Sequence, residues 1–165
     1  MKKILTIIAT LALLTACATS AERAEREARV AQAVEQALAE RHYKVDVQLM
    51  LPLRGKAMNV TSEYSLEVNG DTLISYLPYF GRVYNVPYGG GKGLNFTAPI
   101  LRYEIQKDRK GRAQILLVTD NKENVVTYRL EIFSNGQATI NVLSRDMEQI
   151  NFRGELEVET AARAL

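Results

Sequence analysis

The sequence predicts a mainly β protein: about eight antiparallel strands in a meander, rolled into a small lipocalin-like barrel and preceded by one N-terminal α-helix. Three observations carry this. From Tyr43 onward apolar and polar residues alternate with the period of two expected of half-buried strands. The alternating runs are joined by short polar links such as Asn69-Gly70 and Ser134-Asn135-Gly136, too short for the crossovers that parallel pairing needs. Before Tyr43 the chain is rich in Ala, Glu, Arg and Gln, and its apolar residues recur at helical spacing.

The first element is an export signal. Lys2 and Lys3 give a positive start, residues 4–14 are apolar apart from Thr6 and Thr10, and small residues precede Cys17. A spanning helix needs roughly 20 apolar residues, so this run reads as a processed signal over residues 1–16. Leu14-Thr15-Ala16-Cys17 resembles the bacterial lipoprotein lipobox, which implies acylation of Cys17 and cleavage before it. Two or more acyl chains make membrane attachment stable. The expected location is the cell envelope, on the outer membrane. Its periplasmic face is favoured over the cell surface because no acidic cluster follows the cysteine in Ala18-Thr19-Ser20.

Loss of the signal changes the charge balance. Without Lys2 and Lys3 the 21 Lys and Arg fall to 19, equal to the 19 Asp and Glu. No basic stripe interleaved with aromatics is present, so no nucleic-acid partner is expected. With its only cysteine acylated, the chain has no thiol left for disulfides or redox chemistry.

Residues 17–42 are expected to form a short tether and a helix. Thr19 followed by Glu22 suggests a capping box, and Glu22/Arg26 and Glu25/Arg29 are favourable pairs four residues apart. An apolar stripe emerges only at Val30, Val34, Ala37 and Leu38, so the N-terminal half is a solvated stalk and the C-terminal half docks on the domain. His42, the only histidine, is expected at the helix C-terminus, where the dipole favours a cation.

Residues 43–165 are expected to form the β domain. Tyr43, Val45, Val47 and Leu49 alternate inward along the first strand. A strand at 60–68 meets one at 72–77 across Asn69-Gly70, and further strands are expected at 98–106, 112–120, 124–133, 137–143 and 149–158. The expected inward residues are Tyr64, Leu66, Ile74, Tyr76, Leu101, Tyr103, Ile115, Leu117, Tyr128, Leu130, Ile132 and Ile140. Their size favours a filled barrel over an open calyx. Ile115-Leu116-Leu117-Val118 is apolar on both faces, and the helix stripe is the economical cover for its outer side.

One stretch interrupts the meander. Residues 76–96 hold four of the eight tyrosines, two prolines and five glycines. Proline fixes φ and glycine permits unusual φ, so this is a long loop with defined bends. Two readings stay open. Tyr79, Phe80 and Tyr84 plug one barrel end, or Tyr79, Phe80, Arg82, Tyr84 and Tyr88 form a surface for a glycan, peptide, lipid or envelope protein.

Tyr64-Ser65-Leu66-Glu67-Val68-Asn69-Gly70-Asp71, Tyr76-Leu77-Pro78-Tyr79-Phe80-Gly81-Arg82 and Leu94-Asn95-Phe96-Thr97-Ala98 resemble a family of small exported Bacteroidetes lipoproteins that is described only as a domain of unknown function. Ser134-Asn135-Gly136-Gln137-Ala138 and Ile150-Asn151-Phe152-Arg153-Gly154 resemble it as well. The resemblance covers most of the mature chain and implies no catalytic or binding residues.

Catalytic constellations are scarce. One histidine and one acylated cysteine leave no His/Cys metal cluster and little for a Ser-His-Asp triad. Gly89-Gly90-Gly91-Lys92-Gly93 lacks the Ser/Thr and the following helix of a phosphate loop. Asp71, Glu104, Glu131 and Glu155 lie among ordinary alternating charges, as do Glu157 and Glu159, so a carboxylate-based hydrolase is the minority reading. The expectation is a non-catalytic, lipid-anchored binding module without a cofactor. A purely structural envelope component is the other alternative.

Overall fold

The computed structural model describes residues 2–61, 63–85, 93–109 and 111–158, with side chains from Ser20 onward. The order is α1 (Lys2–Glu40), β1 (His42–Pro52), β2 (Met58–Asn59), β3 (Ser65–Asn69), β4 (Thr72–Leu77), β5 (Leu94–Lys107), β6 (Ala113–Asp120), β7 (Val125–Ile132), β8 (Gln137–Ser144) and β9 (Ile150–Leu156). The eight longer strands form an antiparallel barrel in the order β1-β3-β4-β5-β6-β7-β8-β9, closed by pairing of β9 with β1. The two-residue β2 extends the far end of β1 through Leu49↔Asn59 and Met50↔Met58.

The tight hairpins have recognisable chemistry. Asn69 pairs with Thr72, so the two-residue loop is Gly70-Asp71, one position later than the sequence suggests. Gly70 has φ 59° while Asp71 is not in the positive-φ region, the pattern of a II′ turn. The β5–β6 and β7–β8 hairpins share another solution. Asp108 N–H bonds Arg112 O and Gly111 N–H bonds Asp108 O; Phe133, Gln137 and Gly136 repeat the arrangement, with Gly111 and Gly136 at φ 78° and 86°. These are three-residue loops in which glycine takes the left-handed position.

Leu66, Val68, Leu73, Leu77, Leu94, Leu117, Tyr128, Leu130, Ile132, Ile140, Ile150 and Phe152 are fully buried. Each large side chain removed from water contributes about 1.5–3 kcal/mol. One polar thread runs through this core: Tyr128 Oη donates to Ser75 Oγ at 3.0 Å, which donates to Leu94 O at 2.7 Å. Burial pushes the Tyr128 hydroxyl well above the ordinary tyrosine range.

Four expected inward residues lie elsewhere. On β4, Leu73, Ser75 and Leu77 are buried, Ile74 is half-buried and Tyr76 is exposed. The cause is parity. Partners across a two-residue turn share a face, so Val68 and Leu66 inside place Leu73 and Ser75 inside. Tyr76 instead rests outside against Tyr64, ring centroids 5.1 Å apart. Leu101 is 62% exposed because the β5–β6 register shifts between Ile100 and Arg102, leaving Leu101 as the extra residue of a bulge. A second bulge in β1, between Val47 and Leu49, moves burial from Leu49 to Met50.

At the β1 bulge the closing strand comes very near. A Cβ on Gly154 of β9 would meet the Asp46 carbonyl oxygen, stand 2.8 Å from its carbon and 3.1 Å from Val47 Cα. Only glycine fits there.

In the full chain the helix is continuous from Lys2 to Glu40, and Thr19 lies within that span. It ends two residues before His42, which is exposed and opens β1. Arg41 takes the left-handed conformation at φ 51° that stops the helix. Its carbonyl accepts the Gly70 N–H at 2.8 Å, and its guanidinium reaches Asp71 at 3.3 Å and lies 4.5 Å over the Tyr103 ring. The expected stripe holds: Val34 and Leu38 are buried, and Val30 and Ala37 pack partly against the core.

The cover expected over Leu116 and Val118 is different. The helix lies across the barrel end formed by the β3–β4, β5–β6 and β7–β8 hairpins. Glu35 bonds Lys107 at 2.5 Å, residues of the helix, Tyr43 and Val158 line an open hollow of about 580 Å³ at its side, and Arg26, Glu27 and Val30 adjoin Ser134 and Asn135. On the outer wall Leu116 and Val118 are half-buried, with Glu104 and Arg129 as the ladder neighbours of Leu116 and Arg102 and Thr127 as those of Val118.

Candidate functional site

The site lies at the barrel end opposite the helix, where the chain leaves β4 at Leu77. Strand β5 begins at Leu94 rather than near 98, so the connecting segment is shorter than expected. Its first half, 78–85, is held on a frame. Val83 bridges to Met147 in the link between β8 and β9, Tyr84 N–H bonds Asp146 O at 2.8 Å, and Glu148 N–H bonds Arg82 O at 2.9 Å. Residues 82–84 therefore form a short added strand beside 146–148.

Tyr79 locks this strand in place. Its hydroxyl donates to Arg82 O at 2.8 Å, with Glu148 O 3.1 Å away. Desolvation raises the Tyr79 hydroxyl above its ordinary value. Gly81 makes room for the ring: a Cβ there would stand 2.7 Å from Tyr79 Oη and 3.0 Å from Cζ. Glu148 is buried, with Oε1 3.2 Å from Arg54 Nε and Oε2 accepting the Arg82 N–H at 3.4 Å. The Asn124 amide, its nitrogen turned to its acceptors, bonds the Asp146 carboxylate and ties the β6–β7 turn to the same link.

The frame is partly buried and what it presents is not. Phe80 is 56% exposed and Tyr84 65%, with Val83 and Arg82 also exposed. Leu53, the chain neighbour of Arg54, is exposed as well. The expected site residues thus divide: Tyr79 is an anchor, Phe80, Arg82 and Tyr84 lie together on the surface, and Tyr88 lies outside the described residues. The inward plug formed by all three aromatics is not what folds, since only Tyr79 turns toward the core. The Gly89–Lys92 run and Cys17's side chain also lie outside the described residues.

Arg54, Met147 and Glu148 were not foreseen as parts of the site. The legible hint was Met147, an apolar residue in an otherwise polar link, with a glutamate next to it. The carboxylates that a hydrolase would need are dispersed: Asp71 pairs with Arg41, Glu104 with Arg102 and Glu131 with Arg112. Among the described residues no three His, Cys, Asp or Glu side chains are placed to hold a metal ion.

A crystal structure of a DUF4251 family protein from Bacteroides eggerthii DSM 20697 is similar in fold, with a TM-score of 0.59 and 15% identity over 77% of this chain and 86% of that one. No curated protein matches the chain. The model of the domain of unknown function DUF4251 matches residues 25–156, which include α1 from Glu25 onward, all nine strands and the Tyr79–Glu148 frame; the chain belongs to that family.

Proposed function

We propose that this chain is a lipid-anchored protein of the cell envelope, attached to the outer membrane through acyl chains on Cys17. It works as a non-catalytic binding module whose contact surface is Phe80, Arg82, Val83 and Tyr84. One observation carries this reading: large apolar and aromatic side chains stand in water on a segment that hydrogen bonds and a buried carboxylate hold in one shape. Contact residues already in place lose less freedom on binding, and Tyr, Phe and Arg are the residue types that dominate interface energies. The scattered, ion-paired carboxylates favour binding over hydrolysis.

The test is a Phe80→Ser/Tyr84→Ser double variant assayed against peptidoglycan sacculi, phospholipid vesicles and detergent-solubilised envelope proteins. The native chain retains one of these fractions and the variant loses it by at least about ten-fold, the effect of removing an interface anchor. Native thermal stability is kept, because exposed substitutions cost within about 0.5 kcal/mol. Equal retention of the two chains, or none by either, overturns the reading. Cys17→Ser releases the chain from the membrane fraction; continued fractionation with membranes overturns the anchor.

A further inference from the structure

Strand β5 is longer than the wall it belongs to. On its β4 side pairing stops at Thr72↔Pro99, capped by a bond from Ile100 N–H to Asp71 O. On its β6 side pairing continues to Lys107↔Ala113. Residues 101–107 therefore form a strand edge with no paired neighbour among the described residues.

Hydrogen-bond parity identifies the groups this edge presents. The Asp108 N–H to Arg112 O bond makes 108↔112 a hydrogen-bonded pair. Alternation along an antiparallel ladder then directs the Gln106, Glu104 and Arg102 main chain toward β6. The N–H and C=O groups of Tyr103, Ile105 and Lys107 point away from β6 into the open edge.

The helix does not fill the gap in that plane. Its contacts are with side chains on the inner face, Arg41 over Tyr103 and Glu35 with Lys107, while Ile105 between them remains 39% exposed.

We propose that this edge pairs with the same edge of a second copy of the chain, antiparallel and centred on Ile105. The register is self-complementary. Ile105 meets Ile105 and Tyr103 meets Lys107, and all three residue pairs lie at positions that exchange main-chain hydrogen bonds. On the outer face Arg102 stands opposite Asp108, and Glu104 stands opposite the uncharged Gln106. Edge charges commonly discourage pairing, but in this register no like charges meet. A one-residue slip pairs edge-facing with β6-facing main chain and makes no ladder bonds, and a register two residues away sets Glu104 against Glu104 or against Asp108, which disfavours slippage. Three residue pairs bury less than a permanent dimer interface, so the association is weak, reversible and strengthened by high local concentration.

The test uses the full chain with Cys17→Ser, so that an added cysteine is the only one. Ile105→Cys forms a disulfide-linked dimer under mild oxidation at least about ten-fold faster than Gln114→Cys on the outer face of β6, because a hydrogen-bonded pair holds its Cα atoms about 5.5 Å apart. Ile105→Pro removes only an edge-facing N–H, so it keeps the fold and abolishes concentration-dependent dimerisation of the otherwise native chain. Equal crosslinking at positions 105 and 114, a native chain that stays monomeric at the highest concentrations reached, or crosslinks from position 105 only to other envelope proteins each overturn the proposal.

Discussion

Replacing Gly154 by alanine tests the barrel's closing seam. The added methyl would collide with the Asp46 carbonyl, 2.8 Å from its carbon and 3.1 Å from Val47 Cα, so the obstruction is main chain with no rotamer to give way. Gly154 pairs with both Val47 and Ala138, so neither strand moves off without loosening ladder bonds. Overpacking of this kind costs about 1–3 kcal/mol, and weakening two ladder bonds adds about 1 kcal/mol each. The reduced entropy of the unfolded alanine chain returns about 0.4–1 kcal/mol. A net loss near 3 kcal/mol is a large share of a typical stability of about 5–15 kcal/mol. Urea unfolding followed by circular dichroism shows it as a midpoint shift of about 1–2 M with an unchanged slope. Gly136→Ala is the internal control. Its neighbours stand 3.7 Å or more away, and its cost is the left-handed φ of 86°, about 1–2 kcal/mol. A Gly154→Ala midpoint shift no larger than that of Gly136→Ala refutes the close approach.

Gly81→Ala displaces the Tyr79 ring and Tyr79→Phe removes its hydroxyl; each frees the 78–85 segment at a cost of about 1–2 kcal/mol. Proteolysis within that segment accelerates while the barrel unfolds in one transition. Alkaline pH destabilises the fold. Burial holds the Tyr43 and Tyr128 hydroxyls far above their ordinary value, so both stay protonated in the folded chain while the unfolded chain ionises above about pH 10. A raised folded value stabilises fully below the unfolded value and is lost above it, so stability falls by about 1.4 kcal/mol per pH unit for each of the two. Phenolate absorbance followed with pH shows these tyrosines titrating only as the chain unfolds, and Tyr43→Phe or Tyr128→Phe each lowers the slope by about 1.4 kcal/mol per pH unit. Glu148→Ala removes the carboxylate from Arg54 and from the Arg82 N–H, and lowers loop protection in hydrogen exchange at residues 82–84 before it lowers protection in β6 or β7.

The alternating pattern was enough for the closed antiparallel barrel, since the inward residues of β6, β7 and β8 follow a strict period of two and short links leave no other pairing. Where the period slips, the pattern misleads. Nothing in His42–Pro52 marks the bulge after Val47, and an observer counting by twos assigns Leu49 rather than Met50 to the core. Ile74 equals Leu73 in size and Tyr76 is far larger and more apolar than Ser75, so composition suggests the wrong face of β4 until turn parity is imposed. Leu101 fails for the same reason as Leu49. The site was legible as a composition, tyrosine with proline and glycine, but its inside and outside were not. Which aromatics turn inward depends on Met147 and Glu148, more than sixty residues away in the chain.

That division of labour identifies the residues whose role stability does not account for. Tyr79, Gly81, the Arg82 main chain and Glu148 explain each other: ring, space for the ring, carbonyl for its hydroxyl, carboxylate for the next N–H. The same frame would close with serine at positions 80 and 84, because neither side chain makes a hydrogen bond to the frame among the described residues and both stand mostly in water. Two aromatics in water, on a loop held this firmly, leave apolar surface uncovered that polar residues would hydrate at no cost to the fold. Under the proposed binding role they are the contact residues, and on that reading substitutions at Phe80 and Tyr84 separate binding from stability where substitutions at Tyr79 or Gly81 do not.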